Sequence, residues 1–238
     1  MSYQRPTGQP IDLEAPPAPT RTPVVFEPPY PLVDRTEVWL ATSGGGPSWG
    51  GVCVGLSEDD DEYPSAGMLS GASTWGALVD DLPAAAPGWD EDGCARVLLR
   101  DGGTLGCGDE ASARRGATLA YVGTGNDYEL LAYAHARLLG READAHLYEL
   151  SGGLYRGAYS TPPRAHRAGD SFLLLRGRLL RIPIEPRLIG WPVYLKLVAV
   201  NPCGEGAGDP ADVEPIVHHV EGVFLRARDP ERFALGLG

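Results

Sequence analysis

The chain reads as an all-β protein, with antiparallel sandwich- or barrel-like modules behind an extended, proline-rich N-terminal arm. Three observations predict this. Glycine (32) and proline (22) punctuate the 238 residues throughout, so turns are many and long helices few. Apolar residues make up 43% of the chain, enough to build a core rather than leave it disordered. They fall in short runs bounded by Gly, Pro, Asp and Ser, the pattern of sheet packed on sheet.

Residues 1–35 carry Pro6, Pro10, Pro16, Pro17, Pro19, Pro23, Pro28, Pro29 and Pro31, which gives an extended arm of polyproline character. Val24, Val25 and Phe26 interrupt it, as a short strand or an anchor lying on another surface. Residues 36–203 form the β-rich body, divisible near 125 into 36–125 and 126–203. Strands are predicted at 37–41, 49–56, 67–69, 95–99, 119–122, 145–150, 171–175 and 193–200. Residues 84–92 read as a loop carrying Trp89, and 109–115 permit a short helix. At 128–139 the composition suits a helix, but Leu130, Ala132, Ala134 and Ala136 alternate with Leu131, Tyr133, His135 and Arg137. Period 2 fits as well as period 3.6, and the surrounding strands favour strand. Residues 204–238 read as a Gly- and Pro-marked linker followed by a strand at 216–226 and a tail.

The net charge of −12 argues against nonspecific nucleic-acid binding, which needs a basic footprint. No stretch approaches the roughly 20 apolar residues of a membrane-spanning helix, and the N-terminus has no apolar core of a signal peptide, so synthesis in the cytoplasm is expected. The four cysteines form no CxxC pair and no zinc-ligand spacing. Cys94 and Cys107 flank a predicted hairpin and either pair or stay free; free buried thiols are the simpler reading in a reducing compartment.

No motif points to catalysis. The acidic run Asp59, Asp60, Asp61 and Glu62 lacks the spacing of a calcium loop and reads as a solvated hairpin tip. The five histidines form no HExxH, and Ser151 ahead of Gly152 and Gly153 lacks the nucleophile-elbow pattern. Neither glycine-rich loop, 44–46 or 123–125, continues into a phosphate-binding sequence; tight turns explain both. No catalytic residue, metal site or cofactor is therefore expected. Arg156 is expected to fix an irregular loop, either by clasping a carboxylate, with Asp170 the candidate, or by bonding loop carbonyls, and His166 contributes from inside that loop. The functional alternative is a small recognition pocket for a receptor or glycan, with Tyr155, Tyr159 and Trp89 as contact aromatics; a glycan-cleaving enzyme using paired carboxylates is the third and less favoured reading, since no pair is singled out. Exposure separates the first two: an assembly part buries these rings, whereas a binding module gathers them on an outer surface.

These residues resemble a family. Glu129 to Tyr133, then Tyr148 to Leu150, then Leu154-Tyr155-Arg156-Gly157, with Thr161, His166, Gly169 and Asp170, are similar to a pattern in tail-tip proteins of long-tailed phages and in the large baseplate protein of gene transfer agents. Ser160 stands where that pattern has glycine. Val38 to Trp49, Gly67 to Leu82 and Ile189 to Gly204 resemble further stretches in the same order, so the resemblance spans about residues 24–204. It implies a structural protein of the virion's distal tail, around a threefold hub as a homotrimer, in contact with other tail-tip and hub proteins and with a host receptor or glycan. Arg156, Gly157, Thr161, His166, Gly169 and Asp170 would then structure one loop. In the family this region follows a longer chain, whereas here it starts at Met1, so either the gene is split or this is a fragment; if it is split, Val24, Val25 and Phe26 would dock the arm onto the hub.

Overall fold

The computed structural model describes residues 22–28, 36–43, 50–58, 63–69, 73–100, 102–125, 127–142, 145–175, 179–199 and 209–222. Strands dominate them: β1 (Thr22–Phe26), β2 (Thr36–Ser43), β3 (Gly50–Gly55), β4 (Ser65–Leu69), β5 (Trp75–Leu78), β6 (Gly88–Asp90) and β7 (Ala95–Leu99) come first. A short helix, α1 (Glu110–Arg114), leads into β8 (Leu119–Thr124), β9 (Asp127–Glu142), β10 (Ala145–Arg156), β11 (Ser171–Leu174), β12 (Leu180–Ile184), β13 (Pro192–Ala199) and β14 (Ile216–His219). The all-β expectation holds. The acidic run 59–62, the glycine loop 44–46, the arm before residue 22, the linker 201–208 and the tail after 222 lie outside the described residues.

Every pairing between these strands is antiparallel. Six strands close on themselves in the order β10-β7-β5-β11-β8-β9 and back to β10, with β6 added beyond β7 on the same edge of β10. Closure leaves no free edge around the barrel. Its interior is filled by alternate residues: Leu78, Val97, Leu99, Ala120, Val122, Leu131, Tyr133, Tyr148, Leu150, Leu154 and Phe172. Gly76 also lies in this wall, opposite Leu99 and Phe172. A Cβ there would stand 2.1 Å from the Leu98 carbonyl oxygen, so two backbones approach too closely for any side chain. Gly76→Ala is expected to cost about 1–3 kcal/mol as overpacking, read as a lowered urea midpoint at unchanged m-value.

The remaining strands stack on one side of the barrel. A three-stranded sheet, β1-β2-β12, lies between the barrel and a four-stranded sheet, β14-β13-β3-β4. Its middle strand shows why. Trp39 and Ala41 face the barrel's outer residues Leu119, Tyr121, Leu130 and Leu173. Val38 and Leu40 point the other way, onto Val52, Leu69, Val193 and Leu195. A strand buried on both faces reads as continuous apolar sequence, as 38–41 does.

Several sequence expectations change here. A division at 125/126 would separate β8 from β9, which are paired neighbours in one barrel. Of the two expectations for Val24, Val25 and Phe26, the short strand holds: they form β1, paired with the chain's own β2. Trp89 sits on a short strand rather than in a loop. The region 128–139 is strand, as expected; its composition also suited a helix because Leu130 packs outward while Leu131 and Tyr133 fill the barrel, so both faces are apolar there. β12 escaped notice because Pro183 breaks its pattern; as an edge strand it tolerates the missing N–H. Cys53, Cys94 and Cys107 are free, but Cys94 and Cys107 are exposed rather than buried.

Candidate functional site

Two groups of residues stand out, one inside the barrel end and one beside it. The first is built on Glu129 and Arg156. Glu129 follows the inward parity of Leu131 and Tyr133 on β9, and Arg156 that of Leu154 on β10, so both side chains enter the end of the barrel core. They are 0% and 1% exposed. The pair is bidentate: Arg156 Nε donates to Glu129 Oε1 and Nη2 to Oε2, both at 2.8 Å. Arg156 also donates to the carbonyls of Pro83 (3.0 Å) and Arg164 (2.8 Å). Glu129 in turn accepts the backbone N–H of Gly157 (2.8 Å) and Arg164 (3.1 Å). A buried ion pair survives only when its remaining lone pairs and protons are satisfied in this way.

Burial alone would push the Glu129 carboxyl up. The His166 ring, the Arg156 guanidinium and the Arg164 amide outweigh it and hold the group at about 2. Of these, Arg156 is the stronger partner by geometry, because His166 Nε2 stands 3.4 Å from Oε2 without forming an aligned hydrogen bond. The other face of the ring is 3.4 Å from Asp170 Oδ2, which accepts the Arg167 N–H at 3.1 Å. Loops 79–83 and 164–170 are stitched together by reciprocal bonds between Leu82 and His166 at 2.8 Å, and these loops cover Glu129 and Arg156.

Most of the loop-structuring residues expected from the sequence therefore meet. Gly157 takes a left-handed φ of 67°, and its N–H reaches Glu129. Thr161 Oγ1 accepts from Leu130 N–H (3.0 Å) and donates to the Ala158 carbonyl (2.8 Å), tying the loop to β9. Gly169 N–H donates to Leu78 at 2.8 Å. The Arg156–Asp170 clasp is corrected: Arg156 clasps Glu129 and bonds loop carbonyls, while Asp170 closes its own turn. Glu129 was missed as a partner although it opens the motif. The signal was an ionisable residue in register with the inward side chains of an apolar strand.

The second group surrounds a pocket of about 220 Å³ between α1 and the end of β10. Asp109 caps α1, accepting the Ser112 N–H at 2.7 Å. The Cys107 thiol and the Gly108 N–H bond to β9 at Ala136 and Ala134, fixing the helix beside the β9–β10 hairpin. Trp89 and Tyr155 are cross-strand neighbours. The Arg114 guanidinium lies 5.6 Å from the first ring and 5.4 Å from the second, while pairing with Glu110 at 2.7 Å. Tyr159 follows in left-handed conformation (φ 56°), with its ring edge-on to Trp39 at 5.4 Å. Trp89, Tyr155 and Tyr159 are all half-buried. They are neither sealed in the core nor fully displayed, and they gather on one side of the molecule. Val24 and Phe26 belong to the same apolar cluster as Tyr155 and Tyr159, on the sheet face toward the barrel wall, while Val25 packs toward the four-stranded sheet.

Among the described residues, no group of three or more His, Cys, Asp or Glu side chains is placed to hold a metal ion, and no helix is long and apolar enough to cross a membrane. A family model described as Rcc01698-like, C-terminal, matches residues 73–173. That segment starts just ahead of β5 and ends within β11, so it takes in the six barrel strands, α1 and both groups of residues. The stretches 38–49 and 189–204 fall outside it. No curated protein matches the chain. Over the barrel, then, this chain is similar to the Rcc01698-like C-terminal family.

Proposed function

We propose that this chain is a non-enzymatic structural component of a phage tail tip, in the hub or baseplate region, acting in tail assembly and in attachment to the host. The observation that carries this reading is the Glu129–Arg156 clasp. Glu129 and Arg156, the charged pair of the motif, are spent on each other and on loop backbone, sealed from solvent at the end of a closed barrel. Side chains used in that way build a rigid part; they have no route to a substrate. The order of motifs shared with tail-tip proteins supports the same role, and with it a location in the distal tail and a trimeric arrangement among other hub proteins.

The test is direct. Particles from a host expressing this chain with an affinity tag should carry the tag at the tail tip, seen by cryo-electron microscopy with threefold averaging. Tagged chain that stays monomeric in the lysate and never enters particles would remove the assembly reading.

A further inference from the structure

The pocket beside α1 has features that barrel closure does not require. In a chain with 32 acidic and 20 basic residues, its only charged lining residues are two arginines. Arg114 is already committed: Glu110 neutralises it, and its guanidinium packs on Trp89 and Tyr155. Arg115 is exposed and, among the described residues, forms no ion pair within 4.0 Å; the Asp109 carboxylate acts on it only at longer range. Leu119 and Ala158 give the lining apolar surface, and Tyr155 and Tyr159 line it as well. Tyr159 and Ser160 are consecutive non-glycine residues at φ 56° and 63°. That conformation costs on the order of 1 kcal/mol or more for each residue and places the Tyr159 ring between Trp39 and the pocket.

We infer that this pocket binds a single carboxylate-bearing sugar residue, such as a uronic acid at the end of a surface polysaccharide. The volume of 220 Å³ admits one pyranose ring and little more. The C–H face of a pyranose suits an aromatic side wall, and phenol hydroxyls match its hydroxyl groups. The guanidinium of Arg115 offers the forked donor geometry that a carboxylate accepts. A neutral sugar would leave that cation unused. A small inorganic anion would leave the aromatic walls unused. This inference is independent of the assembly role, because the pocket belongs to the folded chain whether or not it joins a tail.

Saturation-transfer NMR on the full chain with D-glucuronate, D-glucose and inorganic phosphate tests it. Glucuronate should bind saturably at about the millimolar level expected for so small a ligand, with transfer strongest to its ring protons. Arg115→Gln should weaken it about tenfold, the worth of one charge-assisted contact, at unchanged melting temperature. Arg141→Gln, which removes an exposed arginine of the β9–β10 hairpin, should leave binding intact. Glucose should bind at least several-fold more weakly. The inference is overturned by absence of saturable glucuronate binding, by equal affinity for glucose, by full displacement with equimolar phosphate, or by an Arg115→Gln variant that binds like the parent.

Discussion

Glu129→Gln is expected to lower the unfolding free energy by about 3–5 kcal/mol at neutral pH, the range for removing one partner of a buried ion pair. The substitution keeps the shape of the side chain and changes only charge and donor pattern. Oε1 faces Arg156 Nε and the Gly157 N–H, while Oε2 faces Arg156 Nη2 and the Arg164 N–H. Whichever way the amide is turned, its NH2 meets two donors, and the Arg156 charge is left with carbonyls alone. The acid dependence separates charge from packing. In the folded protein Glu129 titrates at about 2 against an ordinary 4.5, so between those values the unfolded chain binds more protons than the folded one. Its contribution is complete above pH 4.5 and is lost as pH falls towards 2. Urea unfolding of parent and variant from pH 7 down to pH 2 should therefore show a gap that narrows by about 3 kcal/mol, mostly below pH 4.5. A gap of constant size would mean that Glu129 acts through shape and that the clasp is not electrostatic.

The same residue shows how far the sequence could be read. Period 2, a local property visible within a few residues, fitted β9 as well as period 3.6 did, and the neighbouring strands decided for strand. Alternation could not reveal that Glu129 and Arg156, 27 positions apart, point into the same barrel end, since that depends on closure of β9 on both β8 and β10. Asp170 was the natural carboxylate candidate because it sits in the same loop region, but its oxygen is used by the Arg167 N–H of its own turn. The bulge in β10 between Ser151 and Leu154 also hid its length. With Gly152 and Gly153 in that bulge, the strand seemed to stop at Leu150. Glycine was needed there because the Trp89 ring lies where a Cβ on Gly153 would be, 2.3 Å away. The aromatics Trp89, Tyr155 and Tyr159 were legible as a set and 109–115 as a short helix; that Arg114 and Arg115 make a pocket with Tyr155 and Tyr159 was not, because it depends on how the helix packs against the end of β10.

Phe26→Ala tests the other place where the structure departs from the sequence reading, the docking of the arm. If Val24, Val25 and Phe26 were an anchor for another protein, truncating the ring would leave the isolated chain nearly as stable as before. The fold argues otherwise. Phe26 is 2% exposed and sits among Trp39 (5.8 Å between ring centres), Tyr121 (5.5 Å) and Tyr128 (5.2 Å), at the seam between the three-stranded sheet and the barrel. The next residue extends the seam to the far end of the described chain. Glu27 accepts His218 Nε2 at 2.7 Å and the N–H groups of Glu221 (2.7 Å) and Gly222 (2.8 Å), while Tyr128 donates to its carbonyl at 3.0 Å. Emptying the Phe26 site is thus expected to cost about 3–5 kcal/mol, as for other buried Phe→Ala changes. It should also loosen β14, which Glu27 holds from the opposite side. Denaturation should show the full loss in the purified chain with no partner present. Hydrogen exchange should show Val217 to Gly222 opening more readily than the barrel strands β8 and β9. A loss below about 1 kcal/mol would instead place this segment's docking energy in another molecule.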